Sequence, residues 1–225
     1  MGRRRGWLIC HRNGTERPYI ADGNHREFFH SLDQVLLRLQ PAGQQLSRNQ
    51  EEGLARFCIV LALFEEIFRG RPRPGSPLFS RGDDPTADDL LDIAQNHWVD
   101  DFCALSQMFY DVFESRLLNQ AILNPIFDGS RDVGGADADF ISDSCLIEVE
   151  STINPRVTKT WLHQILGYVL LDYSDQYRLH DVGLYLSRQG KFIEWSLDDL
   201  IERLMGQKAP PLEKMRQDFR ELAIL

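Results

Sequence analysis

The sequence has no apolar run long enough to cross a bilayer; its longest, Phe57–Phe64, falls far short of the ~18–20 residues a spanning helix needs. No long apolar stretch follows the basic start MGRRRGWLIC, so no secretory signal is expected, and Gly6 stands where N-myristoylation requires Ser or Thr. Cysteine is scarce. Cys10, Cys58, Cys103 and Cys145 are 48, 45 and 42 residues apart with no Cys-x-x-Cys pair, which excludes a zinc finger or a compact disulfide framework. They read as small buried apolar residues in a reducing, cytoplasmic setting. A glycine-rich strand-to-helix turn is also missing: Gly134-Gly135 precedes a strand, the wrong side for cradling a phosphate. There are no internal repeats and no low-complexity segments.

Positive charge is missing where a polyanion binder usually concentrates it. The net charge is −9, distributed as +3 over residues 1–60, −12 over 61–150 and zero over 151–225. A protein that grips duplex DNA unaided shows a basic stripe. An acidic middle instead implies either acids that serve a metal or a chain that relies on a partner to hold a long polyanion. With 43% hydrophobic and 26% charged residues, the chain is nevertheless a globular one, and disorder is excluded as its general state.

Periodicity assigns the elements. Trp7–Cys10 and Pro18–Ile20 flank Asn13-Gly14, a hairpin signal. Glu27–Leu39 reads as a helix ending near Pro41. A stronger one starts at Ser47, with Gln50 placed for a capping box, carries Leu54, Phe57, Cys58, Leu61, Phe64 and Phe68 on one face, and closes at Gly70. The Pro-, Gly- and Arg-rich stretch Arg69–Asp84 marks a boundary, dividing the chain into residues 1–82 and 83–225. From Thr86 one long helix is expected to about Leu118, with Leu90, Trp98, Phe102, Leu105, Phe109 and Phe113 in its apolar stripe and a row of Asp residues on its wet side.

Beyond that helix the period falls to two. Ala121–Phe127 is a strand interrupted by Pro125, hence at a sheet edge or bulged. Ala136–Ser142 and Cys145–Ser151 form a hairpin about Asp143-Ser144. A helix follows from Thr158 or Thr160 to about Tyr173. Then come strands at Val182–Leu186 and Phe192–Trp195, a helix Leu197–Met205 capped by Ser196, and an amphipathic tail from Leu212. The order α-β-β-β-α-β, then β and α, specifies an α/β sandwich, a mixed sheet between helices.

The chemistry concentrates in GGADADFISDSCLIEVEST, Gly134–Thr152. Asp137 and Asp139 share one face of the first strand, Glu148 and Glu150 one face of the second, while Ile147 and Val149 point the other way. If the acidic faces coincide, four carboxylates converge, and such a cluster needs a cation, protons or water to persist. Oxygen ligands at this density suit Mg²⁺ or Mn²⁺. The competing reading is a wet outer face of a surface hairpin. On the next helix Gln164 and Tyr168 are i and i+4 and share a face.

This pattern resembles the PD-(D/E)xK nuclease superfamily, within it the RecB-like branch. Gly134-Gly135-Ala136-Asp137 corresponds to its Gly-x-x-Asp, Glu148-Val149-Glu150 to its (D/E)-x-K, and Gln164–Tyr168 to its Gln-x-x-x-Tyr helix, over a region from Thr86 to Met205. The resemblance implies a restriction-endonuclease-like αβββαβ core with a mainly helical N-terminal extension. It implies a Mg²⁺- or Mn²⁺-dependent nuclease, with DNA as substrate, serving a prokaryotic defence or repair system. Asp137, Glu148 and the Val149 carbonyl would hold the metal, Glu150 would orient or deprotonate water, and Gln164 and Tyr168 would support the site. The departure is Glu150, which stands where the family has Lys and cannot supply positive charge; Lys159, at the next helix, is the candidate for a displaced one. The alternative is a catalytically degenerate subunit that holds a protein partner or nucleic acid without cutting. A partner protein or a homo-oligomer, and no membrane, complete the expectation. A glycosidase-type acid pair ranks last, since nothing suggests a sugar cleft.

Overall fold

The computed structural model describes residues 7–12, 15–20, 24–39, 46–69, 75–81, 85–117 and 121–224. The Asn13-Gly14 turn, Pro41 and Gly70 lie outside them. The chain divides into two compact units, Met1–Ala104 and Leu105–Leu225. The sequence boundary at 82/83 falls inside the first of these. No helix among the described residues is long and apolar enough to cross a membrane.

In the first unit, β1 (Trp7–Arg12) and β2 (Thr15–Ile20) pair antiparallel with Arg12 opposite Thr15. Helices α1 (Asn24–Arg38) and α2 (Arg48–Arg69) follow. Phe28 is fully buried, its ring 5.2 Å from that of Phe57 and 5.7 Å from that of Phe64. Ser47 makes half of the expected capping box, its amide donating to Gln50 Oε1 at 2.9 Å.

The long helix expected from Thr86 is two helices, α3 (Ala87–Leu91) and α4 (Asn96–Leu117). Thr86 does cap, in a complete box with Asp89. The chain makes a turn at Asp92–Gln95 between the two helices, with Leu90, Ile93 and Ala94 all buried. Arg56 of α2 stabilises it, donating to the Ala94 carbonyl at 2.5 Å and to Asn96 Oδ1 at 2.6 Å. In α4 Val99, Cys103 and the expected Phe113 are buried, while Phe102 is 38% exposed. Asp88, Asp92, Asp100, Asp101 and Asp111 are exposed, as expected of a wet face.

The second unit is a five-stranded mixed sheet with helices on both faces, an α/β fold. Its strands are β3 (Ala121–Leu123), β4 (Phe140–Ser142), β5 (Cys145–Glu150), β6 (Asp181–Leu186) and β7 (Lys191–Ser196), in spatial order β3-β4-β5-β6-β7. Only β5 and β6 run parallel, and α5 (Lys159–Leu171) makes the crossover between them. The strand expected over Ala121–Phe127 takes the edge position but stops at Leu123, because Asn124 adopts φ 48° and Pro125 offers no N–H. Pairing resumes in the same register as a lone bridge of Ile126 to Asp137, so the strand expected from Ala136 is regular only from Phe140.

One sheet face buries Phe140, Cys145, Ile147 and Tyr185 against Phe113 and Phe109 of α4. The other buries Leu146, Val182, Leu184 and Leu186 against Ile165 and Val169 of α5 and Leu197, Leu200 and Ile201 of α6 (Leu197–Met205). Cys103 and Cys145 are buried and Cys58 half-buried, all three as free thiols. Ser196 sits at the N-cap of α6 but its hydroxyl caps nothing; the Leu197 amide donates instead to the His180 carbonyl at 2.9 Å. The tail is α7 (Leu212–Ala223), fastened to α5 by buried Arg216, which donates to the Val169 carbonyl at 3.1 Å, to Asp175 at 2.8 Å and to Asp172 at 3.4 Å.

Candidate active site

The hairpin β4–β5 closes through Asp143 and Ser144, both in the left-handed region at φ 50° and 61°. That is the backbone of a type I′ turn, whose twist matches the flanking strands. Ser142 is opposite Cys145 and Phe140 opposite Ile147, which sets Asp139 opposite Glu148. Alternation along β5 sends Ile147 and Val149 to the aromatic cluster under α4 and leaves Leu146, Glu148 and Glu150 facing α5. Gly134 and Gly135 stand before the hairpin at φ 82° and 115° with open space where a Cβ would go, so backbone conformation and not close approach is why glycine is needed.

Four groups form a continuous hydrogen-bonded chain. The Asp139 amide donates to Glu148 Oε1 at 3.2 Å, and Gln164 Nε2 donates to Glu148 Oε2 at 3.0 Å. The same Nε2 donates to the Tyr168 hydroxyl at 3.1 Å, so both its hydrogens are used. Asp139 Oδ2 accepts from the Val149 amide at 2.7 Å. Tyr168 is fixed by its ring, stacked on Phe127 at 5.6 Å. Gln164 and Tyr168 meet the hairpin because Thr158 caps α5, its hydroxyl accepting from the Trp161 amide at 3.3 Å, and Ile165 and Val169 bury the adjoining face.

Glu148 is 6% exposed, and its carboxyl is pushed from an ordinary 4.5 up to about 8. Burial is the main cause, followed by the charge of Asp139, with smaller contributions from Glu150 and Asp137 against the stabilising Asp139 amide. Glu150, half-buried, is raised by burial and then by Asp139. Tyr168 is raised by burial, partly offset by Gln164, and by the charges of Glu148, Asp137 and Asp139. All four carboxylates therefore act within one field.

Of the residues singled out by sequence, Glu148, Gln164 and Tyr168 are bonded into one chain. Glu150 is two residues further along the same face of β5. Asp137 is half-buried at its lone bridge and reaches Glu148 and Tyr168 through its charge. Asp139, given no individual role by the motif, is the carboxylate most strongly coupled to the second strand. The signal lies in the turn: two residues between Ser142 and Cys145 count back to Asp139 opposite Glu148. His163 is exposed beside Gln164, His97 is exposed and edge-on to Trp98 in the other unit, and Lys159 is the exposed first residue of α5.

Among the described residues no group of three or more His, Cys, Asp or Glu side chains stands close enough to hold a metal ion as the side chains are arranged. The donor set fits Mg²⁺ or Mn²⁺ in kind: oxygen only, with Cys145 on the opposite sheet face and an excess of negative charge around a buried Glu148. Compared with known proteins, the chain matches no family model, no curated protein and no solved structure.

Proposed function

We propose that the chain is a Mg²⁺- or Mn²⁺-dependent nuclease of the PD-(D/E)xK type, hydrolysing phosphodiester bonds in DNA. The observation that carries this reading is the chain of hydrogen bonds from Asp139 through Glu148 to Gln164 and Tyr168. It joins the acidic hairpin to the Gln-x-x-x-Tyr helix, the two motifs that the resemblance places at one site. The element order α4-β3-β4-β5-α5-β6 supports a restriction-endonuclease-like core.

Glu148, Asp139 and Asp137 would hold the cation, which when bound acidifies a water and offsets charge on the scissile phosphate. Gln164 holds the Glu148 carboxylate in orientation through its Oε2, and the Tyr168 hydroxyl, its ring stacked on Phe127, accepts from Gln164. Glu150, with its raised affinity for a proton, is suited to accept one from the attacking water. The net charge of −9 favours a partner protein or a second copy to help deliver the nucleic acid. Purified protein should nick plasmid and degrade linear DNA with Mn²⁺, and Asp139→Ala and Glu148→Ala should each abolish this. Cleavage by either variant at the wild-type rate would refute the site.

A second reading, a degenerate nuclease-fold subunit that binds without cutting, is favoured by one observation, Glu150 in place of the family's Lys. Glu150→Lys separates the two. In an active enzyme the change alters rate and metal preference; in an inactive one it is the substitution that creates cleavage. A wild type inactive on DNA and RNA with either metal decides for the second reading.

A further inference from the structure

The acidic cluster repels the phosphates it would have to cut, so a bound strand needs cations near that end of the sheet. We propose that Arg156, Lys159 and Lys191 form a track that holds the phosphodiester backbone of a nucleic acid strand beside Glu150. The proposal rests on the nuclease reading for its substrate and extends it to the residues that bind it.

Two independent elements bring these cations to the same end of the sheet. Glu150 pairs with Leu186, and Leu186 pairs with Lys191. The three lie on one line across β5, β6 and β7, about 9–10 Å from Glu150 to Lys191 at the usual strand spacing. Lys191 alternates with Ile193 and Trp195, which pack with Leu146 and Leu186, so it shares the sheet face of Glu148 and Glu150. Helix α5 runs back along β5 from the crossover. Moving from Glu148 to Glu150 advances about 7 Å along the strand, and moving from Gln164 back to Lys159 retreats about 7.5 Å along the helix. With Gln164 bonded to Glu148, Lys159 is level with Glu150.

Composition supports the placement. Between Glu150 and Asp172 the chain carries Arg156, Lys159 and His163 and not one acid, in a protein with 34. Arg156, Lys159 and Lys191 are all exposed, and none makes a side-chain hydrogen bond or ion pair among the described residues. Arg116 and Arg216 of this unit are instead committed, Arg116 to Glu194 and Arg216 to Asp172 and Asp175. The connection carrying Arg156 is also anchored at its base. Gln189 Nε2 donates to the Thr152 carbonyl at 3.0 Å and Ser187 Oγ to the Glu150 carbonyl at 3.3 Å. Ile153, 83% exposed, stands on the same connection and gives an apolar contact for a base or sugar.

The test is binding, read without cleavage. Fluorescence anisotropy of a labelled DNA oligonucleotide, single-stranded and duplex, and of its RNA counterpart, is measured against salt concentration with Ca²⁺ and with EDTA. The full chain is compared with the triple variant Arg156→Gln/Lys159→Gln/Lys191→Gln. Each lost phosphate contact removes about 0.7–0.9 from the slope of log K against log salt, so the slope should fall by about 2–3, with Kd rising at least about tenfold at 0.1 M salt. Lys208→Gln, at an exposed position between α6 and α7, should leave both unchanged. An unchanged slope in the triple variant, or no binding of any strand by the wild type, overturns the track. Binding lost in the variant, with a wild type that never cuts, keeps the track and refutes the nuclease; cutting with an unchanged slope does the reverse.

Discussion

Asp139 and Glu148 hold each other across the hairpin in opposing senses: the Asp139 amide donates to Glu148 Oε1, while the Asp139 carboxylate is the strongest charge disfavouring ionisation of Glu148. The same residue thus contributes the bond that stabilises the Glu148 anion and the field that resists it. Burial and repulsion win, since the Glu148 carboxyl is pushed up to about 8.

Removing that field without removing the amide isolates its effect. Asp139→Asn should lower the Glu148 midpoint from about 8 toward 4.5, and Asp137→Asn should lower it less. Carbon-13 NMR of labelled glutamate carboxyls across pH reads both. A larger effect from Asp137 would reverse this order of coupling.

Stability should fall with pH in the metal-free protein. Below pH 4.5 Glu148 is protonated in both folded and unfolded chains and contributes nothing. Between 4.5 and about 8 the unfolded chain has released the proton and the folded chain retains it, so unfolding gains progressively, on the order of 3–5 kcal/mol by pH 8. Glu148→Gln should remove this slope and melt higher than wild type at pH 8–9. Thermal melts from pH 4 to 9 measure it, and Mn²⁺ should raise the wild-type midpoint at pH 8 but not the variant's.

The helix side of the site has a separable contribution. Gln164→Leu leaves Glu148 Oε2 and the Tyr168 hydroxyl without their donor, a loss of about 1–3 kcal/mol. It should cut cleavage more than tenfold. Tyr168→Phe keeps the ring on Phe127 and should cost only about 1 kcal/mol. Chemical denaturation and initial cleavage rates distinguish the two, and equal loss of activity from both would place the hydroxyl in the chemistry itself.

Helix α7 packs Leu212, Met215 and Phe219 on the core and is further fastened by Arg216. Asp172 is fully buried, raised by burial and stabilised by the Tyr177 and Gln176 amides and by Arg216. Arg216→Met strands that acid, and breaking a buried pair costs about 3–5 kcal/mol. Hydrogen exchange should accelerate along Leu212–Ala223, and the double variant Arg216→Met/Asp172→Asn should recover part of the loss.

The features legible in the sequence were those written in local period. Cys145–Glu150 alternates and is a strand, and Gln164 and Tyr168, one helical turn apart, share a hydrogen bond. What escaped depended on distant partners. The break between α3 and α4 relies on Arg56, thirty-eight residues before the carbonyl it holds. The cap of α6 is a carbonyl at His180, not the adjacent Ser196. The choice between Asp137 and Asp139 escaped for another reason: both sit on the same alternating face, and only the pairing register ranks them.

That register has an evolutionary corollary. A one-residue insertion or deletion at Asp143-Ser144, an exposed turn of the kind where length changes are otherwise tolerated, would slide β4 against β5 and turn its side chains to the other face. Asp139 would leave Glu148 although neither had mutated. A homologue with a longer or shorter turn would have to place its acid at a shifted position to keep the pair. The spacing between the two carboxylates is therefore a heritable trait of the turn, which takes no part in the chemistry.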